Sequence, residues 1–200
     1  TGAPGVPVRV PGRAGKGAAT AAEVLSVGAF LEGRHAQAFP SVGSERAGAP
    51  VMAFCRIDDR PIRVREPVMH PDALVIQDAT LLHQVSVFEG LRPDGSVLIN
   101  SPHPIEELGL ADLAATVPHA LALTVPATGL ALRHLGRPVP NAVLLGGLSA
   151  LTGCVRIESL TAAIEERFPG GLGAANATAA REAYAHVRAE REELVRAQAD

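Results

Sequence analysis

The stretch Val6-Pro-Val-Arg-Val-Pro-Gly-Arg-Ala-Gly-Lys-Gly17, followed by Ala18 to Gly33, decides the fold. Val6 to Val10 is a run rich in β-branched residues that stops at Pro11-Gly12, and it reads as a short strand. Glycines at 12, 15 and 17 come next. Beyond them Ala21, Val24, Leu25, Gly28 and Leu31 recur at helical spacing until Gly33 ends the pattern. A strand, a glycine-rich turn and a helix are the opening of an α/β unit of nucleotide-binding type.

Downstream, His35 to Pro40 reads as a short strand and 41–50 as a loop of small residues holding Glu45 and Arg46. Val51 to Ile57 is the next strand candidate. Asp58-Asp59-Arg60-Pro61 is turn chemistry, and Ile62 to Val64 is expected to return as a strand, which predicts a hairpin insertion near residues 50–65. Ala73 to Ile76 is wholly apolar and closes with Gln77-Asp78, the pattern of a parallel strand buried on both faces. Val97 to Asn100 and His119 to Val125 are two more such runs, with a short helix over Leu110 to Thr116 between them. The last third is helical: 141–152 with Leu144, Leu145, Leu148 and Leu151 on one side, 158–168, and a long charged helix over 174–198. The expectation is a single α/β domain spanning 1–200: a mostly parallel sheet flanked by helices, with a helical C-terminal third.

Composition narrows the function classes. The 200 residues are 47% apolar with a net charge of -3, so the electrostatic footprint of a nucleic-acid binder is missing. Aromatics are 3% with no Trp, which removes base-stacking platforms and leaves a core of Ala, Val and Leu. Cys55 and Cys154 are the only cysteines. They are too few for a disulfide scaffold, an iron–sulfur cluster or a four-thiolate zinc site. The first residues lack the cationic and apolar regions of a signal peptide, and no apolar run approaches the roughly 20 residues of a membrane span. A cytoplasmic protein with reduced thiols and no membrane span is expected.

The glycine turn is the sharpest chemical signal. Glycines let backbone N–H groups approach an anion, the following helix offers its positive end, and Arg13 and Lys16 add charge. Its spacing, G-x-x-G-x-G, is neither the dinucleotide fingerprint nor a P-loop, since Gly17 follows Lys16 where the latter needs Ser or Thr. A phosphate or pyrophosphate site of another type and a tight turn that needs glycine for packing both fit these residues. The loop Gly43-Ser-Glu-Arg-Ala-Gly-Ala-Pro50 fits a surface loop with an incidental ion pair better than a ligand or subunit contact on sequence grounds alone. The seven histidines show no metal-ligand spacing, and no catalytic triad or nucleophile elbow stands out.

Taken in order, these segments resemble the gamma subunit of the 2-oxoacid:ferredoxin oxidoreductases. Val8 to Leu25 is similar to that family's opening, written G-R-G-G-Q-G-x-x-T-A-A, with Ala14 and Lys16 replacing its second glycine and its glutamine. Gln37 to Pro50 resembles its second signature. Arg56-Ile57 with Pro61-Ile62, Pro71 to Asp78, Leu98 to Ser101, Asn141 to Gly147 and Asn176 to Tyr184 continue the likeness over nearly the whole chain.

The resemblance implies a subunit without the catalytic centre of an enzyme that oxidatively decarboxylates a 2-oxoacid to an acyl-coenzyme A. Thiamine diphosphate, Mg and iron–sulfur clusters of the 4Fe-4S type would lie on partner alpha, beta and delta (ferredoxin-like) subunits, with a flavin/NAD subunit as a further partner. Coenzyme A would meet this chain at Gly12, Arg13, Gly15, Lys16 and Gly17, with Ser44, Glu45 and Arg46 nearby or at the alpha-subunit contact. A purely structural assembly subunit and a stand-alone nucleotide-binding module are the alternatives. On the family reading, part of the Ala- and Leu-rich surface is expected to be interface.

Overall fold

The computed structural model describes residues 5–15, 17–41, 50–83 and 86–199. Its strands are β1 (Val6–Arg13), β2 (His35–Pro40), β3 (Pro50–Asp58), β4 (Ala73–Ile76), β5 (Ser96–Asn100) and β6 (Ala122–Val125). Its helices are α1 (Ala18–Leu31), α2 (Ala111–Thr116), α3 (Ala127–Leu135), α4 (Asn141–Thr152), α5 (Ile157–Arg167) and α6 (Gly171–Ala199). The strands form one sheet in the order β2-β3-β1-β4-β5-β6. Pairs β1/β4, β4/β5 and β5/β6 are parallel, while β3 runs antiparallel to both β2 and β1.

Strand period two splits the apolar residues into two cores. Val8, Val10, Cys55, Ala73, Val75, Leu98, Leu123 and Val125 face the large core, which holds α1, α3, α4, α5 and α6. Leu74, Ile76, Val97 and Ile99 face the other side and meet Leu81, Val87, Leu113 and Val117 from short turns and α2. All of β4 is therefore buried, as its uninterrupted Ala-Leu-Val-Ile run predicts.

The helix α4 accounts for the scarcity of aromatics. Asn141 to Ser149 are buried on every side, so the buried surface of the helix extends well beyond the stripe of Leu144, Leu145, Leu148 and Leu151. Its partner α6 presents Ala177, Ala179, Ala180 and Ala183, and a Cβ on Gly146 would lie 1.9 Å from the Ala180 carbonyl oxygen. Small residues are what allow two backbones to come this close. These alanines and leucines are thus core of this chain.

One expected element is corrected. Ile62 to Val64 is not a strand, and β3 makes its hairpin with β2. Both edges of β3 are already bonded, to β2 and to β1, so a returning strand finds no open edge. Pro61 and Pro67 also lack the N–H that a ladder needs. Two arginines on neighbouring strands tether this segment instead. Arg9 is 7% exposed and donates to the carbonyls of Val68, Met69 and Glu89 at 2.6–3.1 Å. Arg56 donates to those of Glu66 and Pro67.

A second difference is α3, which the sequence reading left unassigned. Gly129 inside it and Pro126 before it weaken the local signal. The helix is secured from outside. Thr128 N–H donates to Asn100 Oδ1 at 3.2 Å, and Glu182 of α6 binds both Arg133 and His134. The hydrogen bond to His134, 2.6 Å long, and then the charge of Arg133 hold the Glu182 carboxyl below its ordinary range despite partial desolvation.

Candidate functional site

The chain leaves β1 through α1 towards β2 on one side of the sheet, whereas β4, β5 and β6 extend it on the other. The reversal falls between β1 and β4, at the carboxyl ends of parallel strands, where open α/β sheets place their ligands. A cleft of about 630 Å³ lies there. Arg13, Gly15 and Gly17 form one wall, Gln77-Asp78-Ala79 and Asn100 the floor, and Thr128 with Arg137 to Asn141 the opposite wall.

Three helices point their N-termini at this space: α1 from Gly17, α3 beside Thr128, and α4 at Asn141. None has an acidic residue in its first turn, and neither Gly17 nor Pro140 supplies a side-chain cap. The N–H groups and the positive ends of the helices therefore favour an anion. Gly17 has φ 84° and lies against Asn141, whose Nδ2 would be 1.8 Å from a Cβ placed there. Glycine at 17 lets the starts of α1 and α4 touch.

The side chains of the floor are fixed by one another. Arg13 Nε donates to Asp78 Oδ2 at 2.7 Å, and Arg13 also reaches Thr80 Oγ1 at 2.6 Å. Thr80 donates to Asp78 Oδ1 from its backbone N–H and its hydroxyl. Burial pushes the Asp78 carboxyl up, but the hydrogen bonds from Thr80 and Arg13 together outweigh it and keep the group below the usual carboxylate range. Asp78 is thus ionised at neutral pH and holds the Arg13 guanidinium at the cleft wall. Asn100 donates to the Gln77 carbonyl oxygen and to Thr128 Oγ1, joining the ends of β4 and β5 to the start of α3. Gln77 is 6% exposed, and neither of its amide atoms has a partner among the described residues.

Of the residues singled out from sequence, Arg13, Gly15 and Gly17 line the cleft. Gly12 is buried one layer behind, with Gln77 and Ala18 filling the space a Cβ would need. Lys16, Ser44, Glu45 and Arg46 lie outside the described residues. Sequence reasoning missed Gln77, Asn100, Thr128, Arg137 and Asn141. The only local signal was a polar residue directly after each apolar strand run. Among the described residues, no group of three His, Cys, Asp or Glu side chains is placed to hold a metal ion, and no helix is long and apolar enough to cross a membrane.

Residues 7–186 match the family model described as pyruvate ferredoxin/flavodoxin oxidoreductase. The pyruvate synthase subunit PorC of Methanothermobacter marburgensis is 48% identical over 179 residues, covering 90% of this chain and 96% of that relative. The common gamma subunit of the pyruvate/ketoisovalerate oxidoreductases of Pyrococcus abyssi is 46% identical over 179 residues, with 90% and 95% covered. The crystal structure of the pyruvate oxidoreductase subunit PORC of Thermotoga maritima superposes with a TM-score of 0.76 at 36% identity, over 90% of this chain and 95% of that one. A part (31%) of 2-oxoglutarate:ferredoxin oxidoreductase from Magnetococcus marinus shares the fold over 92% of this chain, with a TM-score of 0.73 and 18% identity. The chain belongs to the pyruvate ferredoxin/flavodoxin oxidoreductase family, as a gamma-type subunit of a 2-oxoacid oxidoreductase complex.

Proposed function

We propose that this subunit supplies part of the coenzyme A site of an enzyme that oxidatively decarboxylates a 2-oxoacid to an acyl-coenzyme A. The observation that carries the reading is the meeting of three helix N-termini, free of first-turn acids, with Arg13 and Arg137 around one cleft. Such a site suits the phosphates of a nucleotide. The Magnetococcus marinus oxidoreductase, part of which has this fold, was solved with 2-oxoglutarate, coenzyme A and succinyl-CoA bound.

The chain's own part is binding and orientation. Arg13, held by Asp78 and Thr80, and the N–H groups around Gly15 and Gly17 would face the phosphates, with Lys16 adding a cation from the same turn. Ser44, Glu45 and Arg46 belong to the same site or to the alpha-subunit contact. The electron path lies elsewhere on this reading. A four-thiolate cluster does not fit a chain whose two cysteines are free and buried in its core. Thiamine diphosphate with Mg, and the clusters, are assigned to the alpha, beta and delta partners. Phe30 and Leu31, adjacent and exposed at the end of α1, offer an apolar contact for such a partner.

The test is steady-state kinetics of the assembled complex carrying Lys16→Ala or Arg46→Ala. Removing one charge-assisted contact should raise the KM for coenzyme A about tenfold and leave the KM for the 2-oxoacid unchanged. An unchanged coenzyme A KM in both variants would overturn the reading.

A further inference from the structure

Gln77 lines the cleft, and the family reading gives its side chain no part. Its backbone is committed: the N–H is directed at the Pro11 carbonyl oxygen, and its own carbonyl accepts from Asn100 Nδ2. Its side chain is not. The residue is 6% exposed, and both Nε2 and Oε1 are buried without a partner among the described residues. The amide lies against Gly12, where a Cβ would come within 2.9 Å of Oε1. Glycine at 12 therefore makes the room this amide occupies.

A buried amide with neither atom bonded is unfavourable, and a methionine would fill the same volume without that cost. Native proteins keep such a group where an ordered water, an ion or a ligand satisfies it, and beside a cleft the ligand is the occupant that can be tested. Gln77 lines the cleft at the switch point, between the Arg13 wall and Asn100. Phosphate oxygens only accept, so they would satisfy Nε2 and leave Oε1 orphaned. A group with an acceptor and a donor side by side satisfies both; the aminopurine edge of adenine is such a group in a nucleotide thioester carrier, whereas the N–H and C=O of a trans secondary amide point opposite ways.

We propose that Gln77 is a specificity-determining residue of the cleft. Turned about its side-chain torsions, its amide donates from Nε2 and accepts at Oε1 against an aminopurine edge of the ligand, while Arg13 and the helix N-termini take the phosphates. This rests on the coenzyme A reading, and that molecule carries an adenine.

The experiment measures equilibrium binding of coenzyme A to the assembled complex carrying Gln77→Met, with the thermal midpoint of the unliganded complex beside it. Gln77→Met should weaken coenzyme A about tenfold while leaving the midpoint unchanged or higher. Gln77→Glu, which keeps the shape and loses the donor, should weaken it in the same direction, and it decides the matter if the methionine variant fails to assemble. Competition by adenosine 3',5'-bisphosphate and by 4'-phosphopantetheine locates the contact, because the loss should fall on the adenine-bearing fragment alone. Wild-type affinity in both variants, or a loss for 4'-phosphopantetheine as large as that for adenosine 3',5'-bisphosphate or larger, overturns the proposal. If Gln77→Met is silent while Lys16→Ala weakens coenzyme A, this inference alone fails. If all of the variants are silent, the coenzyme A reading fails with it.

Discussion

Two glycines of the turn after β1 make different demands, and their substitution separates conformation from crowding. Gly15 has φ 75° with nothing within 4 Å of a Cβ, whereas Gly17 has φ 84° and the Asn141 amide on top of it. Gly15→Ala should cost about 1 kcal/mol, the left-handed conformation alone. Gly17→Ala should cost about 3 kcal/mol and weaken the cleft's ligand as well, because Asn141 must move away from the start of α1. Urea unfolding of the two variants checks this; equal losses would show that the α1–α4 contact at Gly17 carries no energy. The glycines were legible in the sequence because left-handed backbone selects for them. Asn141 and Gln77 were not, since each matters through what lies beside it, 124 and 65 positions from Gly17 and Gly12 by subtraction of their numbers.

Elements were legible where their signal is local. The bounds of β4 and α4 follow from an apolar run and from a small-residue run started by Pro140-Asn141, and the structure has both elements at those bounds. The helix α3 was not, because Asn100, 28 positions earlier, supplies the bond to its first turn. Strand pairing is non-local in the same sense. The residues of β3 say that it is a strand, but only the sheet decides that β2 and β1 take its two edges. The close crossing of α4 and α6 leads to a sharp expectation. Gly146→Ala places its methyl on the backbone of Ala180 and should destabilise the chain by about 3 kcal/mol, read as a lower denaturation midpoint. A loss under about 1 kcal/mol would mean that the two helices separate easily.

For the whole molecule, the two cysteines change meaning. Both thiols are buried in the large core, and desolvation first, then their mutual proximity, raises the pKa of Cys55; desolvation likewise raises that of Cys154. The folded chain therefore keeps them protonated when the unfolded chain, with thiol pKa near 8.5, ionises. Their contribution to stability is complete below about pH 8.5 and is lost as pH rises towards the raised folded values, by up to about 1.4 kcal/mol per pH unit for each thiol. A Cys55→Ala, Cys154→Ala double variant should show a flatter alkaline limb than the wild type in unfolding measured from pH 8 to 10, and parallel limbs would contradict the burial. The central claim is that the cleft at the carboxyl end of the sheet, framed by three helix N-termini, receives coenzyme A. Hydrogen exchange of the assembled complex, with and without coenzyme A, tests it most directly. The account predicts slowed exchange at the amides of 13–20 and 139–143; protection confined to other segments or other subunits, with these unchanged, would contradict it.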